Sequence, residues 1–282
     1  MLEPPGMDAL DAKMDRLAGY LRGLDSVLVC YSGGVDSAFV LAMAHRELGA
    51  KAIALTAVSP SLPPGELAEA QSLARQIGAD HRVVSSNEMQ DPRYVANGPD
   101  RCFYCKSELY DLAEKQRQAW GLASVLNGTN CDDLGDYRPG LQAASNAHVK
   151  SPLVDCAFDK ADVRAGSRLL GLPVWDKPAA ACLSSRIPYG TSVTSEKLAQ
   201  IGGLESQLKQ LGFRQVRVRY HDKLARIELD LQDVTRAAQP GIREKMVALG
   251  KQYGFQYVTL DLAGYRVGSH NEVIVGKSLR VL

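Results

Sequence analysis

The stretch Val27-Leu-Val-Cys-Tyr-Ser-Gly-Gly-Val-Asp-Ser37 constrains the fold more than any other part of the chain. Leu28, Val29, Cys30 and Tyr31 read as a short buried strand, and the spacing of Phe39, Val40, Met43, Ala44 and Leu48 predicts a helix from Asp36 to Leu48. Ser32 to Ser37 is therefore a strand-to-helix turn. Its adjacent glycines permit positive φ and carry no Cβ, so several backbone N–H groups can converge on one anion at the positive end of the helix dipole. That is phosphate-binding geometry, and it differs from the Walker A pattern of Gly-x4-Gly-Lys-Ser/Thr. The Gly-Lys-Ser at Gly276 to Ser278 has Asn271 where the first glycine belongs and no room for a following helix.

Strands and helices alternate around this turn. Leu10, Met14, Leu17, Ala18, Leu21 and Leu24 predict an amphipathic helix over 8–24. Ala52 to Val58 is a nearly continuous apolar run, as in a parallel strand buried on both faces. Pro63, Pro64 and Glu66 open a helix to about Ile77, His81 to Val84 and Ala123 to Leu126 supply further strands, and Asp159 caps a helix to about Leu170. The alternation predicts an α/β fold with a doubly wound parallel sheet and ligands at the carboxyl ends of its strands. Beyond Thr194 the pattern changes. A helix over 194–211, strictly alternating strands over 215–221 and 224–230, a helix near 240–249 and a strand over 255–262 predict a smaller C-terminal α+β domain with an antiparallel sheet. The expected division is 1–175, a functional cysteine loop at 176–193, and 194–282.

The 282 residues carry a net charge of only +1 and no lysine- or arginine-rich run, which favours a small substrate over a long nucleic acid. The start has no signal pattern and no apolar run reaches membrane-spanning length, so a cytoplasmic protein is expected. In that compartment six cysteines are core residues, metal ligands or catalytic thiols rather than disulfides.

Three further stretches carry chemistry. Cys102 and Cys105 lie three apart at a helix start, where the dipole favours thiolates; a redox pair, half of a zinc site and two iron–sulfur ligands all remain open, with Lys106 beside them as a phosphate contact or a solvated lysine. Gly128-Thr-Asn-Cys-Asp-Asp-Leu-Gly-Asp136 follows a strand and so reaches the same sheet edge as the glycine turn. The stretch Trp175 to Thr191 has neither period and reads as a mobile functional loop, with Cys182 as the best nucleophile and Lys177 and Arg186 to favour its thiolate. In the C-terminal domain Arg217 and Arg219 share one strand face and make a ready clamp for phosphate or carboxylate, although a solvated face has the same pattern.

Ser-Gly-Gly-Val-Asp-Ser resembles the pyrophosphate-loop signature of the ATP pyrophosphatases. In that role Ser32, Gly33, Gly34 and Ser37 would hold the leaving pyrophosphate and Asp36 would hold Mg2+ or a phosphate-bound water. Together with Arg101-Cys-Phe-Tyr-Cys-Lys106, Gly128 to Asp133, Asp136-Tyr-Arg-Pro-Gly140, Asp176 to Gly190 and Val216-Arg-Val-Arg219, the loop makes nearly the whole chain similar to the LarE family. The resemblance implies an ATP-dependent sulfur transferase that adenylates the carboxylates of pyridinium-3,5-biscarboxylic acid mononucleotide and converts them to thiocarboxylates for the nickel-pincer cofactor of lactate racemase. It implies Cys182, Asp36 and Lys106 as catalytic residues, Thr56, Gly128 and Asp132 as further nucleotide contacts, and Arg186, Arg217 and Arg219 on the substrate phosphate. Asp36 and Glu228 are candidate Mg2+ ligands. Cys102 and Cys105 beside Cys182 resemble the subgroup that holds a [4Fe-4S] cluster, while members with the single cysteine give up its sulfur and keep dehydroalanine. Cys30, Cys131 and Cys156 are left as core or loop residues. The family suggests a homo-oligomer, a hexamer, acting on a small nucleotide with no nucleic acid or membrane partner. A sulfur carrier without ATP chemistry, a tRNA-thiolating enzyme and an amide-forming enzyme are the competing readings; the intact loop opposes the first, and the lack of basic extensions and zinc-binding cysteine pairs opposes the second.

Overall fold

The structure, a computed structural model, describes residues 7–135, 139–178, 181–266 and 269. Asp136, Tyr137 and Arg138, Ala179 and Ala180, and the Gly276–Ser278 tail lie outside the described residues. In chain order the elements are α1 (Met7–Arg22), β1 (Val27–Cys30), α2 (Val35–Leu48), β2 (Ala52–Val58), α3 (Glu66–Ile77), β3 (Asp80–Ser85), α4 (Pro92–Val95), α5 (Arg101–Ala119), β4 (Ser124–Leu126), α6 (Pro139–Asn146), α7 (Pro152–Asp155), α8 (Lys160–Leu169), α9 (Ser195–Gln210), β5 (Val216–His221), β6 (Leu224–Leu229), α10 (Leu231–Ala238), α11 (Pro240–Gln252) and β7 (Tyr257–Leu260). None of the described helices is long and apolar enough to cross a membrane.

The chain forms two compact units. The first comprises Met1–Ser59, Gly65–Glu88 and Cys102–Ala180; the second comprises Pro60–Pro64, Met89–Arg101 and Ala181–Leu282. Two short segments that the sequence leaves inside the first domain, 60–64 and 89–101, therefore belong with the C-terminal part.

In the first unit four parallel strands run in the order β3-β2-β1-β4. Successive side chains of a strand point to opposite faces, and here both faces are covered. Val27 and Val29 of β1, with Ala52 and Ala54 of β2, bury against Leu17 of α1, Phe39 and Met43 of α2, Leu73 of α3 and Val163 of α8. Leu28, Ile53 and Leu55 bury on the other side with Ala113 of α5. This is the doubly wound sheet the alternation predicts. Successive strands run outward from β1 through β2 to β3, and β4 returns to the opposite side of β1. Ligands of such sheets bind outside the carboxyl ends of the strands where the order reverses, here between β1 and β4.

The sheet of the second unit corrects two expectations. Its order is β5-β6-β7, with β5 and β6 antiparallel but β6 and β7 parallel. The reason is the connection: α10, unread in the sequence, and α11 together form a helical crossover, which returns the chain parallel to the strand it left. Nor is the arginine face of β5 solvated. Arg217 and Arg219 are as buried as the core, each 7% exposed, because Glu205 and Glu228 are buried in the same unit.

Candidate active site

The glycine turn is held open by its own serines. Ser37 Oγ donates to the Gly34 carbonyl at 3.1 Å and accepts from Ser32 N at 3.2 Å, and the two serine oxygens lie 3.1 Å apart. Gly33 has φ +73°, a conformation that favours glycine, and a Cβ there would lie 2.8 Å from Ala70 Cβ of α3. Gly34 is the N-cap of α2 in extended backbone, and no side chain caps the helix. First-turn N–H groups without intrahelical partners thus face out at the positive end of a fourteen-residue helix.

The loop after β4 closes on that helix start. A Cβ on Gly128 would meet Ser37 N at 2.8 Å and Ser37 Cα at 3.0 Å, so only glycine permits this approach. Asn130 Nδ2 donates to Asp36 Oδ1 at 3.0 Å, and Lys160 Nζ lies 2.5 Å from Asp36 Oδ2. Asp132 accepts from Lys160 N at 3.0 Å and Asp133 from Asn130 N at 3.1 Å. Those two carboxylates brace the loop backbone, while the carboxylate beside the glycine turn is Asp36. Thr56 lies deeper: it is buried and donates to the Tyr31 carbonyl at 2.6 Å, with His81 Nε2 at 2.8 Å. Its hydroxyl ties β2 to the end of β1 and so fixes where the turn begins.

On α5, Cys102 is exposed in the first turn, and the Cys105 thiol donates to Glu88 Oε2 at 2.9 Å. Glu88 is buried and also accepts from Ser59 Oγ at 2.6 Å. Lys106 Nζ stands 6.0 Å from the centre of the Tyr110 ring. Burial pushes the Cys30 thiol up to about 12 and raises Cys131 and Cys156 as well, which suits inert thiols at all three positions. All six cysteines are thiols rather than disulfide halves.

In the second unit the chain around Cys182 is not the loose loop its composition predicts. Residues 183–186 form a 3-10 turn, and Arg186, 2% exposed, binds Glu205 of α9 through Nε at 2.9 Å and Nη2 at 3.0 Å. Its Nη1 donates to the carbonyls of Ala181 at 2.7 Å and Cys182 at 2.9 Å. Asn97 Nδ2 donates to the carbonyls of Ile187, Pro188 and Thr191. Arg101 donates to the carbonyl of Ser184, whose hydroxyl lies 2.6 Å from that of Tyr94. A polar stretch without period is rigid here because buried side chains satisfy its backbone. Arg186 serves as that brace; its donors are directed to Glu205 and the loop rather than to an open phosphate site. Lys177, in the first unit, has its ammonium 2.8 Å from Glu66 and 2.9 Å from Glu69, so its charge is engaged by two carboxylates rather than by a thiolate.

Arg219 forms two bonds to Glu228, at 3.0 and 2.8 Å, and donates to the Ser185 carbonyl at 2.9 Å. Arg226 Nη2 lies 3.4 Å from Glu228, whose carboxylate is thus neutralised by two guanidinium groups. Arg217 stacks over Tyr265, 5.2 Å from the ring centre, and burial together with Arg186 pushes its pKa below the ordinary arginine value. Removing one partner of a buried ion pair leaves the other uncompensated, at a cost of roughly 3–5 kcal/mol. Glu205→Gln should therefore lower unfolding free energy by roughly 3 kcal/mol in denaturant titration. A loss under 1 kcal/mol on that scale would mean the Arg186 brace is dispensable.

Sequence reasoning passed over Asn130, Lys160, Glu88, Asn97 and Glu205. Two had signals: Glu205 interrupts the apolar register of Leu198, Ile201, Leu204 and Leu208, and Lys160 is a cation at a helix N-terminus.

A family model described as asparagine synthase matches residues 17–97, a span that holds β1, the glycine turn and α2. Over 274 residues the chain is 38% identical to a protein of Lactiplantibacillus plantarum named pyridinium-3,5-bisthiocarboxylic acid mononucleotide synthase, covering 97% of this chain and 99% of that protein. The chain belongs to that synthase family. It is also similar to an uncharacterized protein of Synechocystis sp., 48% identical over 265 residues (94% of this chain, 99% of that protein), and to one of Methanocaldococcus jannaschii, 27% identical over 240 residues (85% and 90%). The LarE resemblance and the pyrophosphate-loop fold class read from Ser32–Ser37 both hold. In this chain the glycine turn, the Gly128 loop and Asp36 come together and form the candidate nucleotide site.

Proposed function

We propose that this protein is an ATP-dependent sulfur transferase that converts the carboxylates of pyridinium-3,5-biscarboxylic acid mononucleotide to thiocarboxylates for the nickel-pincer cofactor. The observation that carries the reading is the uncapped start of α2 with Asp36 beside it, in a chain similar over its whole length to a named synthase. A substrate carboxylate oxygen bonds to the α phosphorus of ATP as the bond from that phosphorus to the bridging oxygen breaks, and pyrophosphate leaves onto the amides of Ser32–Ser37. The step needs no protein nucleophile, because positioning and charge neutralisation lower its barrier.

Magnesium fits the turn. It binds through one or two carboxylates and substrate phosphates rather than a protein cage, and Asp36, with a quarter of its side chain exposed, supplies the carboxylate. Glu228, already neutralised, is the weaker of the two candidates.

The acyl-adenylate then needs a sulfur nucleophile. Cys182 as thiolate bonds to the acyl carbon and AMP departs; loss of the Cys182 α proton with cleavage of its Cβ–S bond would leave the thiocarboxylate and dehydroalanine. Cys102 and Cys105 lie three apart at the start of α5, on neighbouring positions of one helix face, and the reading takes them as two cluster ligands with Cys182 as the third, although no group of three or more His, Cys, Asp or Glu side chains is gathered for a metal among the described residues. A [4Fe-4S] cluster so held would supply an exchangeable sulfide and spare the cysteine. Substitution of Cys102 or Cys105 by alanine should then lose iron and sulfide from anaerobically reconstituted protein.

Arg217 and Arg219 bind the phosphate of the mononucleotide. Their guanidinium groups lie on one face of β5, both buried, and each presents a planar fork of donors that matches a phosphate. Arg217→Ala should weaken substrate binding by roughly 1.5–3 kcal/mol, the worth of a charged hydrogen bond, and leave ATP affinity unchanged. Equal substrate affinity in calorimetry would remove Arg217 from the site. The adenylation reading is tested by exchange of labelled pyrophosphate into ATP: it should depend on the dicarboxylate nucleotide, and exchange without that substrate would contradict it.

A further inference from the structure

Lys160 is the first residue of α8, directly after its N-cap Asp159. A cation there faces the positive end of the helix dipole, the unfavourable end. The helix does not need it, since Asp159 and Asp162 already close a capping box. Its ammonium instead reaches Asp36, and its backbone N–H is fixed by Asp132 of the Gly128 loop. Lys160 and Asp36 have 33% and 25% of their side chains exposed, so a solvated ion can compete for either partner. Such partly exposed pairs add little to stability.

The glycine turn has no lysine of its own. Where the Walker A loop has a lysine just inside the helix start to reach the terminal phosphates, this turn has Val35 and Asp36. A departing pyrophosphate would meet only amides and serine hydroxyls from the turn itself, although it carries most of the charge that develops in the reaction. Lys106, the sequence-level candidate, stands over Tyr110 on α5. The ammonium directed at the turn is that of Lys160.

Resting on the ATP reading of the turn, we propose that Lys160 is the phosphate-binding lysine of this site. It neutralises Asp36 while no nucleotide is bound, and passes to the pyrophosphate group when a divalent ion takes the carboxylate. The exchange keeps Asp36 paired throughout.

The test uses the full chain. Lys160→Met should bind inorganic pyrophosphate with Mg2+ about tenfold more weakly than wild type in calorimetry, as expected for one charged hydrogen bond. Without nucleotide the same variant should bind Mn2+ several-fold more tightly, read from loss of the free-ion paramagnetic resonance signal, because the competing ammonium is gone. Lys160→Arg should recover most of the pyrophosphate affinity, and Lys160→Gln replaces the methionine variant if that one does not fold. A merely structural lysine would not move the two affinities in opposite directions. Unchanged pyrophosphate affinity, or Mn2+ binding no tighter than wild type, overturns the proposal. Wild-type protein that binds neither ATP nor pyrophosphate fails the ATP reading itself, and the lysine assignment falls with it. Wild-type binding of both, with no response to Lys160→Met, fails the lysine alone.

Discussion

Asp36→Asn should slow pyrophosphate release from ATP and the dicarboxylate nucleotide by about a hundred- to a thousandfold, the scale of losing one preorganised electrostatic group. The substitution keeps the shape of the side chain, and its remaining oxygen can still accept from Asn130 Nδ2. What it removes is the negative charge that attracts the divalent ion. The thermal midpoint should stay close to wild type, because both members of the Lys160 pair are partly exposed to solvent, which screens them and keeps such pairs' contribution to stability small. A variant that releases pyrophosphate at the wild-type rate would take Asp36 out of the metal role.

Cys182→Ala should abolish thiocarboxylate formation, a loss on the order of 10^4-fold or more as for removal of a covalent nucleophile, while the first round of pyrophosphate release continues. The two half-reactions separate because the adenylation step needs no protein nucleophile, whereas sulfur transfer does. The small side chain at the start of a 3-10 turn should be replaceable without loss of fold, since the turn is held by Arg186, Arg101 and Asn97 rather than by the thiol. Pyrophosphate release lost in parallel with sulfur transfer would instead assign Cys182 to adenylation.

Most of the first unit was legible, although the short helices α6 and α7 were not read. Ala52 to Val58 is a strand with the expected bounds, Asp159 caps α8, and the helix expected over 8–24 spans Met7–Arg22, because continuous apolar runs and cap residues are local signals. The second unit was less so. Its strands were found from their alternation, but alternation does not reveal the partner strand, and the unread α10 concealed the crossover that makes β7 parallel to β6. The pattern Val-Arg-Val-Arg was ambiguous for the same reason. A period of two assigns faces but not what covers them, and the arginine face is buried together with Glu205 of α9 and Glu228 of the adjoining strand. The loop at 181–191 shows the limit of composition. Asn97 and Arg101 hold it from a segment some ninety residues earlier, a separation no local pattern spans.

The most direct test of the account is the mass of the small-molecule product after anaerobic incubation of the full chain with Mg-ATP and the dicarboxylate mononucleotide, with sulfide supplied. The account predicts a nucleotide in which sulfur has replaced oxygen in a carboxylate, with one AMP and one pyrophosphate released for each sulfur inserted. AMP and pyrophosphate released with no sulfur in the product, or ADP and phosphate in their place, would contradict it.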